Sequence, residues 1–283
     1  MALKRWIAGS LLLVCLLCGC GRQVQAGQAD SGSAQPQQDI GSAPGSAEPA
    51  VTEEELVDPP LEEDAISDDA EQMPLSGVVI CLDPGHGITS ASRQEAVSPL
   101  SSETKPAYVS GAAGNSQTEE ALNLAVAELA RDALEALGAQ VVLTRQTNEA
   151  TVSNIERAQI ANQAGADLCI RIHADGSEDS SVYGMSMQVP AGSLLGTPSI
   201  EEPSARAAEI LLQAVTEATG ARSRGLAQRS DLTGFNWSEV PCVLLEMGFL
   251  SNPEEDARLA QTEYRQQIAS GIAEGVCRWM GVR

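Results

Sequence analysis

The sequence predicts an α/β fold, a mainly parallel or mixed sheet flanked by helices, built as a single domain over residues 77–283. Short apolar runs bounded by turn residues alternate there with longer segments whose apolar residues recur at helical spacing, the pattern of strands joined by helical crossovers. The runs are almost continuously apolar, as strands covered on both faces must be. Both histidines of the chain, His86 and His173, stand just past such runs. Open α/β sheets place their chemistry at those strand ends.

Residues 78–82 (Val-Val-Ile-Cys-Leu) form the first strand, stopped by the turn Asp83-Pro84-Gly85. Leu122, Val126, Leu129, Ala133 and Leu137 lie on one face of a helix that Gly138 closes. Residues 140–143 return as a strand. Ser153-Asn154-Ile155-Glu156 is a capping box that opens a helix running through Ala164, and residues 167–172 are the next strand. Residues 184–189 form another. Pro203 and Gly220 bracket a third helix, residues 241–245 are a fifth strand, and Tyr264, Ile268, Ile272 and Val276 mark the last helix. Cys81, Cys169 and Cys242 fall inside strands and are expected to act as small apolar residues. Residues 88–118 show no strong periodicity, and an unstructured loop of that length in a compact domain is often functional.

Upstream of residue 77 the composition changes. Lys4 and Arg5 precede a largely apolar run over residues 6–17, too short to cross a membrane and of the kind found in secretory signals. Leu17-Cys18-Gly19-Cys20 resembles the lipobox of bacterial lipoproteins. That resemblance implies a signal over residues 1–19 that is cut before Cys20, which then carries a diacylglyceryl group and anchors the protein outside the cytoplasm. Residues 21–76 hold thirteen acidic residues, one base and no aromatic residue, so this stretch is expected to be a disordered acidic linker behind the lipidated N-terminus. The whole chain carries a formal net charge of −22, a sign that repels phosphate backbones and excludes nucleic acid as a partner.

Two imidazoles from separate strands are ready metal ligands, and a third protein ligand would leave a fourth position open. Glu119 and Glu120 open the helix after the long loop, Glu246 follows the strand 241–245, and a thiolate is a further option, so these residues leave the third ligand undecided. Glu119 also completes Ser116-Gln117-Thr118-Glu119, a capping box in which its carboxylate would only serve the backbone.

Six strings in order decide the matter. Leu82-Asp83-Pro84-Gly85-His86-Gly87, Glu119-Glu120-Ala121-Leu122-Asn123-Leu124, Val141-Val142-Leu143-Thr144-Arg145, Arg157 with Ile160-Ala161-Asn162, Ile172-His173-Ala174-Asp175 and Leu245-Glu246-Met247-Gly248-Phe249-Leu250-Ser251-Asn252 together resemble the zinc-dependent N-acetylmuramoyl-L-alanine amidases, the amidase type 3 family of cell-wall hydrolases. The resemblance implies one zinc held by His86, Glu119 and His173, with Glu246 as general base. Glu119 is preferred to Glu120 because the family's ligand stands four residues before an Asn-Leu pair, here Asn123-Leu124. It implies peptidoglycan as substrate, cut by zinc-activated water between N-acetylmuramic acid and L-alanine of the stem peptide. A zinc peptidase acting within the stem peptide and an idle wall-binding lipoprotein are the alternatives. Arg145 and Arg171 are candidates for contact with the acidic stem peptide. The loop 88–118 is expected to arch beside the zinc, where it covers the groove or touches glycan, and replacing residues 93–111 by a short link is expected to spare metal binding.

Overall fold

The computed structural model describes residues 73–282. The signal, Cys20 and the acidic linker up to residue 72 lie outside the described residues. The folded body starts earlier than Gly77, because Leu75 is buried in the main core and its N–H donates to the Leu137 carbonyl at 2.8 Å.

Among the described residues, eight strands and six helices form in the order β1 (Val79–Pro84), β2 (Gln94–Ala96), β3 (Thr104–Pro106), α1 (Glu119–Glu135), β4 (Gln140–Leu143), α2 (Asn154–Gln163), β5 (Leu168–Asp175), β6 (Met185–Pro190), α3 (Glu201–Thr219), β7 (Ser223–Arg229), α4 (Thr233–Asn236), β8 (Cys242–Phe249), α5 (Pro253–Leu259) and α6 (Thr262–Met280). Six strands make one mixed sheet in the order β4-β1-β5-β8-β6-β7. The first four run parallel, β6 is antiparallel to β8, and β7 is parallel to β6.

Strand alternation sorts the sheet into two chemically distinct faces. Ile80, Leu82, Ile170, Ile172, Val243 and Leu245 pack in one cluster with Leu122 of α1, Leu211 of α3 and Ile272 of α6. Cys81, Cys169 and Cys242, which are register partners across three strands, pack on the other face with Ala161 of α2 and Phe235 of α4. The cysteines therefore serve as small core residues, as their place in the strands implied.

Local signals held where they were strong. Ser153 and Glu156 form the expected capping box, with the Glu156 N–H on Ser153 Oγ at 3.3 Å and the Ser153 N–H on Glu156 Oε2 at 2.7 Å. Helix α3 starts at Glu201, before Pro203, whose missing N–H costs nothing in a first turn. Two strands run further than their apolar runs indicated: β5 reaches Asp175 and β8 reaches Phe249, so His173 and Glu246 sit within strands and are register partners. Strand β7 carried no usable pattern, because it is a polar edge strand whose one large apolar side chain, Leu226, is exposed. The long loop contains the ribbon β2–β3, too short for alternation to register.

One polar cluster inside the sheet positions the site. Asp83, 1% exposed, accepts from Arg157 Nη1 at 2.6 Å, from Arg171 Nε at 2.8 Å and from Thr144 Oγ1 at 2.5 Å. These contacts join β1 to α2, to β5 and to the residue after β4. Burial would raise the Asp83 carboxyl, but Arg157, Arg171 and the Thr144 hydroxyl overcome it and hold the group below the usual carboxylate range.

Replacing Asp83 by Ala leaves two buried guanidinium groups without their counter-charge and is expected to cost about 3–5 kcal/mol in denaturant unfolding. Because the folded carboxyl titrates lower than the unfolded one, its stabilisation is complete above about pH 4 and is lost as the pH falls below that. Unfolding midpoints over a pH series should accordingly drop more steeply on the acid side for the wild type than for Asp83→Asn.

Candidate metal centre

His86, Glu119 and His173 converge at the carboxyl end of the parallel strands. Each arrives from a different element: the turn after β1, the first residue of α1, and the last part of β5. Glu119 Oε1 lies 3.1 Å from His86 Nε2 and 3.0 Å from His173 Nδ1, and the three ligand atoms all fall within 4.8 Å of one another. Among the described residues this is the one group of three or more His, Cys, Asp or Glu side chains close enough to share an ion.

The backbone around the cluster is shaped to it. His86 adopts a positive φ of 59°, a conformation uncommon outside glycine, though histidine takes it more readily than most residues. It is held there by carbonyl contacts on either side: Arg157 Nη1 donates to Pro84 O at 2.7 Å and Nη2 to His86 O at 2.5 Å. Gly85 is required by contact, since a Cβ there would stand 2.1 Å from the His173 ring. Thr118 caps α1 without a side-chain bond, so the Ser116–Glu119 capping box does not form. The Glu119 carboxylate instead accepts the N–H of Ala112 at 2.7 Å and of Ala174 at 3.2 Å, and Asn123 Nδ2 at 3.2 Å. That last bond spans one helical turn and gives the four-residue spacing its physical meaning. Glu120 points elsewhere on the helix and contributes its backbone carbonyl to Arg145.

Hydrogen-bond logic shows what the cluster lacks. His86 Nδ1 faces the Val109 carbonyl at 2.7 Å, and a carbonyl only accepts, so Nδ1 carries the proton. In neutral His86 the other nitrogen, Nε2, is then a lone pair facing a carboxylate oxygen. Two acceptors 3.1 Å apart need a cation between them, either a second proton or a metal ion. His173 Nε2 is buried with no partner, and burial lowers the pKa of this ring, which favours the neutral imidazole that metals bind. Burial would raise the Glu119 carboxyl, but its close contacts with the His173 and His86 rings hold it below the usual carboxylate range. The two separations to Glu119 Oε1 are close to the about 3.3 Å between atoms that stand about 2.0–2.1 Å from a tetrahedral zinc ion.

Glu246 faces the same side of the sheet as its register partner His173 and is 7% exposed. Burial, with the charges of Asp175 and Glu119, raises its pKa well above the usual carboxylate range. Gln188 Nε2 donates to Oε1 at 3.0 Å, while Oε2 is buried without a partner among the described residues.

Two candidates from the sequence take other roles. Arg145 is 4% exposed and spends its donors on the carbonyls of Pro84, Gly85, Glu120 and Thr147 at 2.7–3.0 Å. Arg171 is buried in the ion pair with Asp83 and bonds Asn154 Oδ1 at 3.3 Å. Both guanidinium groups are buried and committed to acceptors of the protein itself, as internal struts are. Asp83 and Arg157 were present in the motifs without an assigned role. A charged residue at the end of a fully apolar strand run was the signal available for Asp83.

The loop over residues 88–118 does arch beside the cluster, but as part of its wall. Val109 supplies the carbonyl on His86, Ala112 the N–H on Glu119, and a Cβ at Gly111 would lie 2.7 Å from Glu119 Oε2. Excising residues 93–111 would remove the His86 anchor, so the expectation that such a change spares metal binding is corrected.

Comparisons with known proteins point to one family. The model of the N-acetylmuramoyl-L-alanine amidase family matches residues 80–278. The N-acetylmuramoyl-L-alanine amidase Rv3717 of Mycobacterium tuberculosis is 29% identical over 217 residues, which cover 74% of this chain and 89% of the relative. The amidase LytC of Bacillus subtilis is 30% identical over 202 residues, 71% of this chain and 35% of LytC. Among solved structures, the amidase Ami1 of Mycobacterium smegmatis is similar with a TM-score of 0.67 at 28% identity, covering 74% of this chain and 99% of that one. With a sheet, a ligand cluster and a buried glutamate assembled from the same matched segment, the chain belongs to the family of N-acetylmuramoyl-L-alanine amidases, hydrolases of peptidoglycan.

Proposed function

We propose that this protein is a zinc-dependent amidase that works outside the cytoplasm from a lipid anchor and cuts the amide between the lactyl group of N-acetylmuramic acid and L-alanine. The observation that carries the zinc reading is the pair of acceptors, His86 Nε2 and Glu119 Oε1, facing each other at 3.1 Å with His173 Nδ1 3.0 Å from the same oxygen. His86, Glu119 and His173 would hold the ion. When bound, zinc supplies Lewis acidity, polarising a carbonyl and bringing the pKa of water towards about 7.

The protein's own groups do the rest. Glu246 offers an unpartnered oxygen, Oε2, to a water molecule, takes its proton as the water attacks the carbonyl carbon, and delivers that proton to the departing L-alanine amine. Water and one amide thus become a carboxylic acid and a free amine. The apolar surroundings and acidic neighbours that raise the affinity of Glu246 for a proton suit a base that must keep it until the amine leaves. Val109 and Ala112 brace two of the ligands from outside, which makes Gly111 a point where the loop and the metal site meet.

The anchor rests on the sequence alone, on Cys20 behind its apolar signal. No helix of the described residues is long and apolar enough to cross a membrane. A diacyl group embeds by about 0.8 kcal/mol per buried CH₂, enough for a lasting hold.

Metal content, activity and lipid labelling check this reading. Purified protein should contain one zinc per chain. Glu246→Gln should keep that zinc while losing activity on muropeptides by about 10² or more, whereas His86→Ala should lose both; free stem peptides with N-terminal alanine, seen by mass analysis, identify the bond cut. Gly111→Val places a branched side chain against Glu119 and His86, so zinc content and activity should fall together while far-UV circular dichroism stays unchanged. Cys20→Ser should abolish incorporation of labelled fatty acid, and incorporation that persists would refute the anchor.

A further inference from the structure

Glu246 is held from β6, the neighbour of β8 on the side opposite to β5 and His173. Gln188 on β6 shares a face with Ser186, the register partner of Glu246, and reaches the carboxylate diagonally across the antiparallel pair. Its Nε2 donates to Glu246 Oε1 at 3.0 Å, and its own Oε1 accepts from Arg229 Nη1 at 2.7 Å. Arg229 on β7 is steadied in turn by Asp231, with Nε on Oδ1 at 2.8 Å and Nη2 on Oδ2 at 2.9 Å.

The direction of this chain follows from donor chemistry. A guanidinium has donors only, so the amide oxygen of Gln188 must face Arg229 and its NH₂ must face Glu246. Arg229 therefore dictates an amide orientation that is otherwise a choice between two. The interposed amide also matters electrostatically. Direct pairing with Arg229 would engage the carboxylate bidentately and occupy both oxygens, whereas Gln188 takes one and leaves Oε2 uncommitted.

We propose that Gln188 is a positioning residue for Glu246, and that Arg229 acts on the reaction mainly through Gln188 by fixing its amide. The inference rests on Glu246 being the base.

The test compares Gln188→Met, Arg229→Met, Arg229→Lys and the double Met variant in the full-length, zinc-loaded protein, with kcat and KM on a soluble muramoyl-peptide, zinc content and thermal midpoint as readouts. Gln188→Met should lower kcat about tenfold to hundredfold at unchanged KM and zinc content, as for a lost hydrogen bond to a charged group. Arg229→Met should cost less, and the double variant should be no slower than Gln188→Met, since the two residues act in series. Arg229→Lys, which also only donates, should recover most of the rate. Wild-type kcat in Gln188→Met, or losses that multiply in the double variant, would overturn the proposal. If Gln188→Met does not fold, the Arg229 pair decides: loss with Met and recovery with Lys supports it, and equal rates sink it. Glu246→Gln, run alongside, separates the two readings. An active Glu246→Gln removes the base and the proposal together; an inactive one beside a fully active Gln188→Met removes the positioning role alone.

Discussion

A buried carboxylate between two buried guanidinium groups is the constraint around which the site is built. Asp83 could not remain ionised at 1% exposure on the strength of one partner, since the desolvation of each ion rivals the attraction of a single pair. With Arg157, Arg171 and Thr144 it has a complete set, and each partner comes from a different part of the chain. The same guanidinium that neutralises Asp83 then grips the carbonyls of Pro84 and His86. Arg145 grips Pro84 and Gly85 from the other side. The turn that presents His86 is thereby locked at its positive φ, and one member of the His86–Glu119–His173 cluster is aimed by an ion pair that lies outside the cluster.

A second layer of restraint comes from the loop over residues 88–118. It is fastened along its length: Glu95 accepts from Asn154 and Ile155 at the start of α2, Trp237 Nε1 donates to Ala96 O, and Asn236 Nδ2 donates to Val97 O. Near its end, Asp256 of α5 takes the N–H groups of Asn115 and Ser116 at 2.8 and 2.9 Å. A loop tied at so many points is a fixed wall. Its backbone polar groups, which burial would leave unsatisfied, become the hydrogen bonds that orient His86 and Glu119. This outer set of bonds fixes the side chains of the cluster in place, as the contacts around a metal site would have to.

The two sides of the site are braced differently. The ligands stand on parallel strands and a helix N-terminus, braced by charge in the interior. Glu246 stands where the sheet changes direction, beside antiparallel β6 and the edge strand β7, and is braced by a neutral amide. Placing full charge against the ligand turn, and a single neutral donor against Glu246, lets one group stay firmly ionised while the other retains a high affinity for protons.

Much of this was readable in the chain. Strand and helix alternation is a local pattern set by side-chain period, so the α/β class, the capping box at Ser153 and the places of His86 and His173 at strand ends all followed from neighbours within a few residues. The spacing of Glu119 to Asn123 likewise encodes a bond across one helical turn. Other features depend on partners far away in sequence. Nothing near Arg145 or Arg171 announces that their acceptors lie about the turn after β1, 60 and 88 residues distant, and both read as free cations until packing buried them. Strand β7 and the ribbon β2–β3 are held by backbone pairing and long-range contacts, which leave no apolar period to read. Gln188 and Arg229 are unremarkable residues 41 positions apart, and they become a support for Glu246 because β6 lies between β8 and β7. Local chemistry chose the elements; the order in which the sheet assembled them chose which charges would meet, because a hydrogen bond depends on where two groups end up and not on how far apart they were written.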